Sequence, residues 1–473
     1  MNRKSLLIYF LMLVSLVASA QRETYSSSSS KNGTHIVFNR GGINSFNVEM
    51  RGKIELTDDD KDVKSISSDG YLEITKTTFG GKRTVVITPS ATGIKREYYE
   101  GFDKKDFEKD GGRQWLGEIL PELVRSTTIG AETRVERFFK QGGANAVLNE
   151  IDKLDSDHVK TAYANLLMKK NVSSKDYPTI ISRFVSSVSS DHYRTEFLKS
   201  GLDKFLTTKE GTDAVFAAST KMESDHYKTV VIKEALESQA PSLEAIKSIL
   251  AASNKMESDH YKTEVLTSLL RKNDLSDAVI SEMINSTKNI ESDHYRTIVL
   301  TKALAKQGLS ATSFQRVLES VKDIDSDHYK TQVLTTLMDN KLSNELNAQL
   351  IDLSSAINSD HYEAVVLTDM LKSQTLTDDV YKKLVTRASQ CSSDHYSTQI
   401  LMAALQGSSV TNARVQAILD VAGNINSDHY LTQVLLKAAP KVKGDVTLME
   451  AYRKAAKKIN SETYYGQALR AID

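Results

Sequence analysis

Ser292-Asp293-His294-Tyr295 opens a segment whose apolar residues, Tyr295, Val299, Leu300, Ala303 and Leu304, fall at i, i+4, i+5, i+8 and i+9. That spacing is one face of an α-helix. One repeat earlier the same places hold Tyr261, Val265, Leu266, Leu269 and Leu270. Nine of the ten histidines share this setting. The copies are Ser156-Asp157-His158, Ser190-Asp191-His192, Ser224-Asp225-His226, Ser258-Asp259-His260, Ser292-Asp293-His294, Ser326-Asp327-His328, Ser359-Asp360-His361, Ser393-Asp394-His395 and Ser427-Asp428-His429. Tyrosine follows in eight of the nine, Val159 being the exception. The interval is 34 residues, except for 33 between His328 and His361. A degenerate tenth copy, Ser461-Glu462-Thr463-Tyr464, falls in phase. A fixed period of this size means a stacked array in which each unit buries its apolar face on its neighbours.

Each unit holds two helices. Serine is a favoured N-cap and an adjacent aspartate suits the positive end of the helix dipole, so the second helix starts at the motif. The first has its own caps eighteen residues before the histidine, at Thr208, Ser242, Ser276, Ser310, Ser343, Thr377 and Thr411. Its core pairs include Ile249-Leu250, Val317-Leu318 and Ile418-Leu419, followed by Ile290, Ile324, Ile357 or Ile425 in successive units. Cys391 takes that last slot, which makes it a small core residue. The one missing residue belongs to the turn marked by Gly308 in the preceding unit. The period matches tetratricopeptide repeats without their signature residues, so the array is expected to be an α/α solenoid, HEAT-like or TPR-like. About ten 34-residue two-helix repeats are expected over residues 141–473.

Composition narrows the rest. With 61 basic and 61 acidic side chains, the formal net charge is zero, which argues against nucleic-acid binding. One cysteine rules out an internal disulfide framework. Residues 1–20 read as a signal peptide: Arg3 and Lys4, an apolar run from Leu6 to Val17, then Ala18-Ser19-Ala20. The mature chain is expected to start at Gln21 and to be exported, to the periplasm or beyond, without membrane insertion. Residues 21–100 read as a small antiparallel β domain with a flexible start at Ser26–Ser30 and strands at His35–Phe38, Phe46–Met50, Lys53–Leu56, Tyr71–Thr75, Thr84–Thr88 and Ile94–Tyr99. Phe79-Gly80-Gly81-Lys82 signals a hairpin. Asp58-Asp59-Asp60 lacks the spacing of a calcium loop and reads as a solvated turn. Residues 101–140 form a helical junction, with an apolar stripe through Trp115, a kink at Pro121 and a stop at Gly142-Gly143. The fold class is therefore α+β.

Adjacent residues at a helix start point in different directions, so Ser-Asp-His here is no catalytic triad. No catalytic residue, metal ligand or cofactor is assigned. Equivalent atoms about 10 Å apart in stacked units do not share an ion, although one unit's histidine with a neighbour's aspartate keeps metal binding as the alternative. The triplet is expected to be structural: Ser as cap, Asp at the turn, His tied to the next unit, Tyr in the core. Two residues after the histidine the chain varies and is mostly cationic, so Lys228, Lys262, Arg296 and Lys330 are the expected partner-binding residues.

The strand Gly70-Tyr71-Leu72-Glu73-Ile74, the segment Trp115-Leu116-Gly117-Glu118-Ile119-Leu120-Pro121 and the repeated Ser-Asp-His-Tyr together resemble an extracytoplasmic module of bacterial envelope proteins. Some such modules are attached to membrane zinc-peptidase sensors of the antirepressor type. The head is similar to adhesin-type β domains. No HExxH motif is present, so the resemblance implies a stand-alone sensor or scaffold and no peptidase activity. The expected function is a non-enzymatic exported scaffold that presents an extended helical surface to a protein or peptide.

Overall fold

The computed structural model describes residues 23–30, 33–41, 44–238, 241–273, 275–406 and 410–473. The expected signal peptide and the start at Gln21 lie outside them. No described helix is long and apolar enough to cross a membrane.

Seven strands form one antiparallel sheet in the order β1-β2-β3-β6-β7-β8-β9, and β4 pairs with β5 separately. They are β1 (Glu23–Ser30), β2 (Gly33–Arg40), β3 (Ser45–Arg51), β4 (Ile54–Leu56), β5 (Val63–Ile66), β6 (Tyr71–Thr78), β7 (Gly81–Ser90), β8 (Gly93–Glu100) and β9 (Asp103–Lys105). All six expected strands are present. The serine run departs from expectation: Ser26–Ser30 lies in β1, in register with Gly33 to Val37 of β2. Ladder hydrogen bonds come from the backbone and need no apolar side chain, so composition alone misjudged this segment. Alternation places Phe46, Val48, Met50, Leu72, Ile74, Val85 and Ile87 on one buried face.

The helix α1 (Gly112–Ser126) covers that face with Trp115, Leu116, Ile119, Leu120 and Leu123, so junction and sheet share one core. The Trp115 ring lies 6.1 Å from that of Tyr98. Pro121 sits inside α1, which continues to Ser126. In α2 (Ala131–Ile151) the helical path breaks at Gly142 and Gly143, the latter at φ +62°, and then resumes.

The Asp58–Asp60 turn is solvated only in part. Asp59 accepts the Thr57 hydroxyl at 2.6 Å. Asp60, at φ +55°, turns inward to Arg134 at 3.0 Å and Arg137 at 2.9 Å. Arg134, 3% exposed, also meets Glu150 at 2.6 Å and the Tyr163 hydroxyl. A buried ionic knot thus ties the β4–β5 turn to α2 and to the first motif helix.

The chain divides into two compact units, Met1–Ala235 and Leu236–Asp473. Within each, helices alternate as expected. A leading helix such as Asp277–Ser286 is followed by a motif helix such as Asp293–Leu304. All seven expected leading caps are present: the side-chain oxygens of Thr208, Ser242, Ser276, Ser310, Ser343, Thr377 and Thr411 accept the backbone N–H three residues on. Ile290, Ile324, Ile357, Cys391 and Ile425 are all buried. The short repeat is accommodated after the helix Asp327–Met338, where the turn to Ser343 lacks a counterpart of Gly308.

Candidate functional site

The motif aspartate does not serve its own helix alone. Asp259 Oδ2 accepts the backbone N–H of Glu291 at 2.9 Å and of Ser292 at 2.8 Å, in the next repeat. Asp293 does the same for Asp325 and Ser326, Asp327 for Asn358 and Ser359, and Asp360 for Ser392 and Ser393. Asp394 and Asp428 extend the ladder to Ser427 and Ser461. In the first unit Asp157 and Asp191 hold Ser190 and Ser224. Each carboxylate therefore satisfies amides at the mouth of the neighbouring motif helix, where orphan donors gather. Burial raises the Asp259 pKa, but the Ser292 N–H and the Lys262 ammonium outweigh it and hold the carboxyl below its ordinary range.

This arrangement revises the role of the serine. Among the motif serines whose caps are described, only Ser156 and Ser427 cap with the side chain, at 3.2 and 3.5 Å. At Ser190, Ser258, Ser292, Ser326, Ser359 and Ser393 the backbone occupies the cap position with no side-chain cap bond. The backbone N–H of the serine, donated to the preceding repeat's aspartate, is the recurring contact.

The four expected partner-binding cations are not on the surface. Lys228, Lys262, Arg296 and Lys330 are only 6–8% exposed. Lys262 Nζ donates to the Asn289 carbonyl at 2.6 Å and to Asp259 at 3.1 Å. Lys330 reaches the Ala356 carbonyl at 3.2 Å, Arg296 the carbonyls of Ile290 and Asp323, and Lys228 the Asp225 carboxylate at 3.3 Å. The Asn289, Asp323 and Ala356 carbonyls lie at the C-terminal end of the next leading helix, the negative end of its dipole, while Ile290 ends the leading helix of Arg296's own repeat. Long stems bury along apolar surface while the charged head finds oxygen. The cation thus clamps one repeat to the next, and variation at this place is variation in the clamp.

What the motif does expose is the histidine. The rings of His192, His226, His260, His294, His328, His361, His395 and His429 are exposed, and those of the tyrosines half-buried. The tyrosines therefore do not anchor the core. Tyr193, Tyr227, Tyr295, Tyr329, Tyr362, Tyr396 and Tyr430 are each seated between two imidazoles. Tyr295 lies 5.2 Å from His294 and 5.9 Å from His260 of the repeat before. The alternation runs on through Tyr329, Tyr362, Tyr396, Tyr430 and Tyr464 at 5.7–5.9 Å across repeats. The first unit has the same contacts, His158 to Tyr193 and His192 to Tyr227 at 6.0 Å. Val159, which lacks the ring, is fully buried.

Beside this fixed row stands a residue that sequence reasoning passed over, one helical turn after the histidine: Glu264, Ile298, Gln332, Val365, Gln399 and Gln433. Residues four apart are neighbours on a helix surface, and Gln433 Nε2 lies 3.0 Å from His429 Nε2. The invariant-plus-variable pairing was visible in the sequence, had the wheel been taken one turn further.

Three repeats depart from the pattern, with Glu363, Ser397 and Leu431 in the cation's place, and the first of them reverses the charge. Glu363 replaces the cation, is 1% exposed, and is gripped by Arg387 Nε at 2.5 Å and Nη2 at 2.9 Å. The Cys391 thiol donates to Glu363 at 3.7 Å. Burial, with the carboxylates of Glu363 and Asp360, pushes that thiol up to about 12. Asp360, Glu363 and Cys391 bring ligand-type atoms within 4.8 Å of one another, the one such group among the described residues. Its carboxylates are already taken, by Arg387 and by the amides of Ser392 and Ser393. The motif aspartates are likewise engaged and the imidazoles alternate with tyrosines, and no ligand set along the row is found among the described residues.

No protein-family model matches the chain, and no curated protein matches it. Among solved structures, a chain from the computational design of self-assembling cyclic protein homooligomers aligns with 67% of this chain and 97% of its own at 12% identity, with a TM-score of 0.12. A likeness that slight carries no argument about fold or function.

Proposed function

We propose that the chain is a non-enzymatic binding scaffold of the cell envelope, exported by its N-terminal segment, whose helical repeats hold a protein or peptide along the row of exposed imidazoles. The observation that carries this reading is the pairing of a recurrent His/Tyr frame with a variable neighbour, exposed at Gln332, Val365 and Gln399 and half-buried at Glu264, Ile298 and Gln433. Such an arrangement fixes geometry once per repeat and leaves specificity to one position, with weak contacts summed along the array. The buried clamps beneath keep the frame rigid, so little ordering is needed on binding. The aspartates favour this over the metal alternative, because their oxygens are committed to backbone amides.

The test is capture of partners by the tagged chain in its native envelope. A single protein held at near-stoichiometric yield is expected, and lost when Gln332, Val365 and Gln399 are all changed to Lys, with thermal unfolding unchanged. Capture indifferent to that triple variant and to deletion of the repeats overturns the reading. A metal titration of the same sample reports on the alternative.

A further inference from the structure

The two most exposed large hydrophobic residues described are both phenylalanines, Phe102 at 97% and Phe79 at 86%. Both are at hairpin tips of the head, Phe79 between β6 and β7, Phe102 between β8 and β9. The two tips are tied together: the Gly101 N–H donates to the Lys82 carbonyl at 2.7 Å, and Lys82 Nζ lies 5.9 Å from the centre of the Phe102 ring.

Neither ring serves the fold. Phe79 stands at φ +47°, a conformation that bulky side chains rarely adopt and that Gly or Asn takes without strain. A turn under selection for stability alone would not place Phe there, and strain kept in a native backbone points to a function. A Cβ built on Gly80 or Gly101 meets nothing within 4 Å, so the tips project into open space. Residues 78–83 and 100–105 carry Lys82, Arg83, Lys104 and Lys105 against Glu100 and Asp103, a cationic excess in a chain of zero net charge. Arg83 pairs with Glu100 and Lys104 with Glu97.

We infer that these tips are a peripheral membrane contact, in which Phe79 and Phe102 enter the headgroup region of an anionic lipid surface and the surrounding lysines face its phosphates. Exposed apolar rings such as Phe gain by leaving water for the headgroup–acyl boundary, and juxtamembrane cations add attraction to anionic lipid. Projecting, isolated rings suit a yielding plane better than a preformed pocket. The contact is superficial, spans nothing, and is independent of the repeat surface.

The experiment is co-sedimentation of the chain from Gln21 onward, which holds every described residue and omits the apolar 6–17 run, with vesicles. One set is phosphatidylcholine alone, the other phosphatidylcholine mixed with phosphatidylglycerol, at low and physiological salt. The chain is expected to bind the mixed vesicles more tightly, and less so as salt rises. Phe79→Gly with Phe102→Ser should weaken binding on the order of tenfold or more, and Lys82→Glu should weaken it on mixed vesicles only. The glycine suits positive φ, so the thermal midpoint of the double variant should be equal or higher, separating lost contact from lost fold. Absence of binding to mixed vesicles at low salt, or equal binding by the double variant, overturns the proposal. So does a requirement for both phenylalanines in capturing a protein when vesicles are not bound, which assigns the tips to a protein pocket.

Discussion

At the scale of single residues, the motif's meaning lies 33 positions away from where it is read. Serine, aspartate and histidine were legible as a repeated unit, but the aspartate's partners are amides of the next repeat, which no local spacing displays. The same blindness placed Lys262 and Arg296 on the surface: their side chains follow the histidine by two positions, and only stacking shows that this direction faces a neighbour. Asp259→Ala leaves the Glu291 and Ser292 N–H groups without their acceptor. The expected loss is about 1–3 kcal/mol, measured by urea unfolding, and Asp259→Asn should lose less because its amide oxygen still accepts. Equal stability of the alanine variant and the parent would show the ladder to be ornamental. The lowered carboxyl gives a pH signature too. A group with a depressed folded pKa stabilises fully above its unfolded value near 3.9. That contribution then fades as pH falls through the folded value, so Asp259→Ala should converge with the parent in strong acid.

At the scale of elements, the motif helices are clamped at both ends. Aspartates hold the N-terminal turn of the next motif helix, while Lys306 Nζ and Gln374 Nε2 reach back to carbonyls of Lys272 and Met338 in the repeat before. The repeat at Glu363 tests this logic because its charge is reversed. A carboxylate cannot donate to helix-end carbonyls, and Arg387 of the following leading helix supplies the missing cation. Arg387→Met should therefore cost about 3–5 kcal/mol, the usual penalty for stranding one member of a buried pair. Glu363→Lys in the Arg387→Met background should recover much of that, by restoring the arrangement seen at Lys330 and Ala356. A double-mutant cycle with no coupling would refute the exchange. In sequence terms Glu363 looked like an innocuous variation on an exposed face; burial made it a paired charge. The leading-helix caps, by contrast, were fully legible, because a cap and its amide are three residues apart.

For the whole molecule, the alternation of helices was readable because the chain repeats itself, and the sheet because its strands alternate. The knot of Asp60, Arg134, Glu150 and Tyr163 was not, since its contacts join residues up to 74 positions apart without any periodic signal. Both lessons meet in how the array should respond to shortening. If every repeat is held only by its neighbours, through equivalent aspartates and cations, the repeats are interchangeable modules. Removing residues 293–326 joins Ser292 to Asp327, so Asp259 still faces the N–H of Ser292 and Asp327 still faces that of Ser359. The shortened chain should fold, with unchanged helical ellipticity per residue and a thermal midpoint lowered by only a few degrees. Removing residues 293–309 instead deletes one motif helix and sets two leading helices in succession. The aspartate ladder then has no rung to reach, the apolar faces on either side lose their cover, and cooperative unfolding should disappear. Failure of the whole-repeat deletion to fold, with the half-repeat deletion no worse, would mean that stability rests on contacts other than the nearest-neighbour clamps.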